Sequence, residues 1–91
     1  MAIFRKRPVV IEAIECAEVK RNIYDAPTSL PQWIIDSYSE VKLVIFPGGI
    51  MVRTTDGNTF ASIGDWIIRD VGGELYTCKP NIFVEAYEAV E

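Results

Sequence analysis

Four turn signals in the second half of the chain constrain its fold more than any other feature. They follow one another at intervals of about 8 to 10 residues, which is a spacing typical of short antiparallel strands. The turn residues are Pro47-Gly48-Gly49, Asp56-Gly57-Asn58, Gly64-Asp65 and Gly72-Gly73. The apolar and β-branched runs that flank these turns predict strands over residues 41–46, 50–55, 59–62, 66–71 and 74–79.

The first half predicts one more strand and one helix. Residues 8–16 are rich in Val and Ile and favour a strand. Residues 17–28 have the composition of a polar connection. A helix is predicted over residues 29–40, with Ser29 and Gln32 in the spacing of a capping box and an apolar face made of Leu30, Trp33, Ile34 and Tyr38.

The C-terminal end predicts little regular structure. Pro80 stops the preceding strand and suits the first position of a helix, so we expect a single helical turn there. An extended segment is expected from Tyr87 to Val90. The whole pattern predicts one α+β domain over residues 1–91, with a small, strongly bent antiparallel β-sheet or barrel and one packed α-helix. Because a chain of 91 residues can bury only a small core, we also expect a homo-oligomer, in which a second copy covers further apolar surface.

Charge and composition argue against several classes of function. The 91 residues have a net charge of −4, contain no His and contain two Cys, Cys16 and Cys78. Proteins that bind bulk nucleic acid are usually basic. Without His, the serine and cysteine nucleophiles lack their commonest activating base, and no metal-ligand spacing is present. The expectation is a protein with no catalytic residues, no metal and no cofactor, away from membranes, with two free thiols in a reducing cytoplasm.

Cationic and aromatic side chains are the candidates for a binding site. Arg and Lys meet anionic groups, and aromatic rings stack on planar ones. The candidate ligand-binding residues are Arg5, Arg7, Trp33, Arg53, Trp66, Arg69, Tyr76 and Lys79. Each also has a purely structural interpretation, with Trp33 as a core anchor and the Arg residues on solvated faces. Trp66 and Arg69 are three apart in a strand, so they are expected on opposite faces.

Two stretches resemble a family of small phage and prophage proteins marked by a PGDY motif. The C-terminal match comprises Gly64-Asp65-Trp66, Gly73-Glu74-Leu75-Tyr76, Cys78-Lys79-Pro80, Phe83 and Tyr87-Glu88, and the N-terminal match is the basic start of residues 4–15. Ile63 stands where the motif has Pro, and Trp66 stands where it has Tyr. The resemblance covers about half of the chain and implies a phage origin and a compact β-rich fold.

The resemblance and the candidate residues together predict a phage accessory protein in the cytoplasm of an infected bacterium. The sharpest form of this hypothesis is a counter-defence protein that sequesters a small anionic immune signal without catalysis. Such a signal would be a cyclic nucleotide or an ADP-ribose derivative. The alternative is a phage protein that acts by protein–protein contact, as an inhibitor of a host enzyme or as a virion component.

Overall fold

The computed structural model describes residues 1–3 and 9–90. Within these residues the strands are β1 (Glu12–Glu15), β2 (Leu43–Phe46), β3 (Gly49–Thr54), β4 (Gly57–Ser62), β5 (Trp66–Arg69) and β6 (Leu75–Cys78). The helices are α1 (Cys16–Asn22), α2 (Gln32–Ser39) and α3 (Pro80–Ala86), with a 3-10 turn over Pro27–Ser29. The α+β class is therefore confirmed.

The strands form two antiparallel sheets of three strands each. The first sheet has the order β1-β5-β6, and the second has the order β2-β3-β4. β5 lies in the middle of the first sheet, where Ile67 pairs with Ile14 of β1 and with Thr77 of β6. β3 lies in the middle of the second sheet, where Ile50 pairs with Ile45 and Ala61.

Two of the predicted turns contain a glycine with the positive φ that a tight hairpin requires. Gly57 and Gly73 have φ values of +121° and +84°, which L side chains rarely adopt. At the turn before β3 the reason for glycine is space. A Cβ on Gly49 would collide with the Ala61 carbonyl oxygen of the paired strand β4, so the close approach of that backbone requires a residue without a side chain.

One core joins both sheets to the helices. The inner face of the first sheet and the inner face of the second sheet contribute to a single cluster of buried apolar side chains, together with α1 and α2. Its members are Ile14, Cys16, Val19, Ile23, Leu30, Ile34, Leu43, Ile50, Val52, Ala61, Ile67 and Leu75. Trp33 packs against this cluster. The outer faces of the two sheets consequently lie on opposite sides of the molecule.

Several expectations about the architecture are wrong. The described strands do not close into a barrel, because the meander of β2, β3 and β4 ends at the Asp65 turn and β5 joins β1 in a separate sheet. The segment expected to be a polar connection contains α1. Cys16, Val19 and Ile23 bury one side of that helix against β3, and the polar residues between them are good helix formers.

The helix starts also differ from the prediction. α2 begins at Gln32 with Pro31 as its N-cap, and no side chain caps it. The Ser29 hydroxyl donates instead to the Ala26 carbonyl oxygen at 2.7 Å, because the 3-10 turn precedes the helix. α3 spans seven residues, so it is about two turns long where a single turn was expected.

None of the helices formed by residues 1–3 and 9–90 has the length and apolarity required to span a bilayer.

Candidate functional site

The outer face of the first sheet carries a second group of apolar side chains. Strand registers place Trp66, Ile68 and Tyr76 on this face, opposite to Ile67 and the main core. Ile68 is buried although it does not belong to the core cluster. Part of this face is covered by α3, which contacts Trp66.

α3 covers this face through a stack of aromatic rings. Pro80 stands at the start of the helix, which places Phe83 and Tyr87 one turn apart on the same side. The Phe83 ring stacks on Trp66 with the centroids 4.0 Å apart and the planes 6° from parallel. Tyr87 continues the stack, 5.1 Å from Phe83. Three rings from two elements thus form one continuous surface.

An open groove lies beside this stack. Its walls are the chain before β1, at residues 9–11, and the chain after α3, at residues 87–90; its floor contains Trp66 and Phe83. The volume is about 880 Å³, within the range of about 300–1,000 Å³ found for small-molecule sites. Among the described lining residues the one charged side chain is Glu88. We call this feature the aromatic groove.

A buried carboxylate anchors the two chain segments that carry the stack. Asp65 is 4% exposed, and its Oδ2 accepts hydrogen bonds from the Ser62 backbone N–H at 2.9 Å and from Lys79 Nζ at 3.1 Å. Asp65 also accepts the Cys16 N–H at its own carbonyl oxygen, at 2.9 Å. Asp65 immediately precedes Trp66 and Lys79 immediately precedes α3, so this ion pair fixes where the stacked rings begin.

Of the predicted site residues, Trp66 lines the aromatic groove. Lys79 does not line it, but its ion pair with Asp65 lies directly beside Trp66 in the chain. Tyr76 shares the outer face with Trp66, but its hydroxyl donates to Glu74 at 2.9 Å. The hydrogen bond to that carboxylate, with a smaller contribution from burial, raises the Tyr76 pKa to about 12. Arg69 pairs with Glu12 at 2.7 Å. Its position opposite to the face of Trp66 agrees with the sequence expectation.

The other predicted residues lie elsewhere. Trp33 packs against the main core from α2, which matches its structural interpretation. Arg53 is exposed on the outer face of the second sheet, on the side of the molecule away from Trp66. Arg5 and Arg7 fall outside the described residues. The structure thus does not bring the described candidate cations together.

Sequence reasoning missed most of the groove. Phe83, Tyr87 and residues 9–11 are not among the candidates from the sequence, because local patterns do not show that the two ends of the chain meet beside the first sheet. One signal was present in the sequence: after Pro80, Phe83 and Tyr87 have the i, i+4 spacing of one helix face, and Ala86 lies between them.

The two cysteine thiols are poorly suited to nucleophilic chemistry. Cys16 is fully buried, with its Sγ 3.5 Å from the Ala61 carbonyl oxygen, and burial raises the pKa of its thiol. Burial also raises the pKa of the Cys78 thiol. Both thiols are therefore protonated at neutral pH, which disfavours nucleophilic attack. Within the described parts of the chain, no three His, Cys, Asp or Glu side chains are grouped to hold a metal ion.

Five of the residues on which the phage resemblance rests lie close together. Asp65 and Lys79 form the anchoring ion pair, while Trp66, Phe83 and Tyr87 form the stack. This proximity gives each of them a structural reason, and the resemblance itself stays a prediction. No family model, no curated protein and no solved structure matches this chain.

Proposed function

We propose that this protein functions by binding, without catalysis, and that its ligand places a planar group in the aromatic groove. The observation that carries this proposal is the preformed stack of Trp66, Phe83 and Tyr87 along an open groove. Rings that already contact one another lose little freedom when a ligand joins them, so more of the contact energy remains as affinity.

The lining indicates the chemistry of the ligand. Aliphatic and aromatic side chains dominate it, and Glu88 is its charged member in the described chain. A nucleobase or a comparable flat ring suits such a surface, because stacking tolerates any base and needs no specific polar partner. Phosphate groups would have to lie away from Glu88.

The sequence supplies cationic side chains that could bind an anionic group of the ligand. Arg5, Lys6 and Arg7 stand just before Val9, which lines the groove. Arg is well suited to phosphate because its planar fork donates two hydrogen bonds at once. A nucleotide-derived immune signal as the ligand, and a phage counter-defence role, remain the proposal that the phage resemblance motivates.

The first test is a titration with four probes: adenosine, ADP-ribose, cyclic ADP-ribose and a cyclic dinucleotide. Trp33→Phe leaves Trp66 as the fluorescent reporter, and Trp66→Phe leaves Trp33. We expect at least one probe to quench Trp66 and none to change Trp33. Native mass spectrometry should recover that probe with unchanged mass, whereas an enzyme would return an altered one.

A matched pair of phenylalanines locates the site. Phe83→Ala should weaken binding about 10- to 100-fold, since base stacking contributes about 1–3 kcal/mol per base. Phe60→Ala removes an exposed ring from the outer face of the second sheet and should leave affinity unchanged. Equal losses of affinity from the two substitutions would show that the ligand does not bind in the aromatic groove. If adenosine binds as tightly as ADP-ribose, only the proposal that the ligand carries an anionic group is refuted.

Protein–protein contact is the second candidate function. No residue of α3 is buried, and Ile82 and Val84 are 51% and 74% exposed on it. A helix this apolar usually contacts protein on more than one side. If no probe binds, and immobilised protein captures a host protein that the Phe83→Ala variant fails to capture, this second function replaces the first.

A further inference from the structure

We propose that two copies of this chain pair through the free edge of β1, which makes the two first sheets continuous across a twofold axis. The proposal concerns assembly, and its test needs no ligand in the aromatic groove. Three observations support it: an edge strand without a neighbour, a strand register that avoids like charges, and exposed apolar side chains beside that edge.

Within the described residues, no strand pairs with the outer edge of β1. β6, at the other edge of the first sheet, packs against β3 and β4, and β2 packs against α2. β1 has its main contacts with β5 and with the α1 that follows it. Unpaired strand edges readily add another strand unless charge, proline or a covering element blocks them.

The backbone groups at this edge can be assigned from the register. Cys16 donates its N–H to Asp65 on the β5 side. In an antiparallel ladder, hydrogen-bonding direction alternates along the strand, so Ile14 and Glu12 also point toward β5. Ala13 then directs its N–H and C=O groups outward. Residues 9–11 precede β1, and in the proposed dimer they extend the strand backward, so that Ile11 and Val9 point outward as well.

A twofold axis at Ile11 would pair all of these outward N–H and C=O groups with those of the second copy. Ile11 then pairs with Ile11 of the second copy, and Val9 pairs with Ala13 in both directions. This register places Val10 opposite Glu12, so no carboxylate faces another carboxylate across the axis. Glu12 in addition already pairs with Arg69 of its own chain.

Apolar side chains lie exposed beside this edge. Val9 and Val10 are 59% and 68% exposed, and Tyr87 and Val90, which line the aromatic groove with them, are exposed as well. A second copy that pairs with residues 9–13 would cover part of this apolar surface, and apolar side chains are typical of the buried centre of homodimer interfaces.

Pairing of two copies would add a wall to the aromatic groove, formed by the second copy. Val9, Ile11 and Ala13 line it, and the paired strand of the second copy lies directly beside them. The ligand site would thus sit at a subunit boundary.

Light scattering after size exclusion tests the pairing without any ligand. We expect the wild-type protein to have twice its 10.2-kDa chain mass at micromolar concentration. Ile11→Lys and Ile11→Glu should each be monomeric, because the substitution places like charges opposite each other at the axis. An equimolar mixture of the two variants should recover a dimer that contains one copy of each, by native mass spectrometry.

The mixing experiment also controls for misfolding, since unfolded variants would not recover a defined dimer. Val71→Lys introduces the same charge at an exposed position after β5 and should leave the dimer intact. A monomeric wild-type protein would overturn the proposal. So would a dimer that survives Ile11→Lys, or variants that fold as monomers and stay monomeric when mixed.

Discussion

At the scale of single residues, Asp65 holds together parts of the chain that are far apart in sequence. Its carboxylate joins the end of β4 to Lys79, and its carbonyl oxygen receives the first N–H of α1. A buried carboxylate is costly unless it is paired and hydrogen-bonded. Asp65 meets both conditions because the turn supplies an N–H and Lys79 supplies a charge.

Replacing Asp65 should destabilise the fold more than replacing a comparable Asp at the surface. Asp65→Ala should lower the free energy of unfolding by about 2–3 kcal/mol, because the Ser62 N–H and Lys79 lose a charged acceptor. Asp70 is the matched control. It accepts the Gly72 and Glu74 N–H groups in its own turn, but it lies nearer to solvent. Asp70→Ala should cost about 1 kcal/mol.

Urea denaturation followed by circular dichroism measures both changes. Equal losses for Asp65→Ala and Asp70→Ala would show that burial and the Lys79 contact contribute nothing beyond ordinary turn chemistry.

At the scale of secondary-structure elements, the end of α2 stores backbone strain. Val41 has a φ of +59°, in the left-handed region that glycine favours. The Val41 N–H donates to the Tyr38 carbonyl, and the Lys42 N–H donates to the Ser37 carbonyl. These two bonds form the Schellman motif, whose left-handed position is usually glycine. A β-branched residue there costs about 1–2 kcal/mol.

Val41→Gly should therefore stabilise the protein. Relief of the strain exceeds the loss of a half-exposed side chain, and we expect a gain of about 1 kcal/mol in the free energy of unfolding. Val41→Ala keeps the Cβ in the left-handed region and should gain less. Thermal or urea denaturation measures both. A loss of stability in Val41→Gly would mean that the Val41 side chain contributes contacts that outweigh the strain.

At the scale of the whole molecule, the single core predicts cooperative unfolding. Both sheets and two helices contribute to one buried cluster, so opening one part exposes the rest. The two thiols report on this from different positions. Cys16 is fully buried in the cluster, whereas Cys78 is partly exposed on the outer face.

Labelling with a disulfide reagent at pH 8 should therefore show two phases. Cys78 should react first, more slowly than free cysteine because its raised pKa lowers the thiolate fraction. Cys16 should react at least about a thousandfold more slowly than Cys78, because its thiol becomes accessible only when the whole protein unfolds. Cys78→Ser isolates the Cys16 phase, and its rate should rise with urea in parallel with the loss of circular dichroism. If Cys16 reacts as fast as Cys78, the core opens locally.

The sequence by itself determined the α+β class of the fold and the approximate positions of its strands along the chain. Strand placement followed from local chemistry: Gly57 and Gly73 adopt positive φ, and the apolar runs between turns fill the core. These signals act within a few residues of each other, so they can be read along the chain. The sequence also placed Trp66 and Arg69 on opposite faces of β5, because side-chain alternation in a strand is local geometry.

Only the tertiary structure decided which residues meet. The pairing of β1 with β5 and the contact of Asp65 with Lys79 join positions distant in sequence, and these contacts separate the strands into two sheets in place of a barrel. The aromatic groove depends on α3 returning across the outer face of the first sheet to stack Phe83 on Trp66. Local propensity carries no information about such a return, because packing of distant apolar faces, and not backbone preference, determines it.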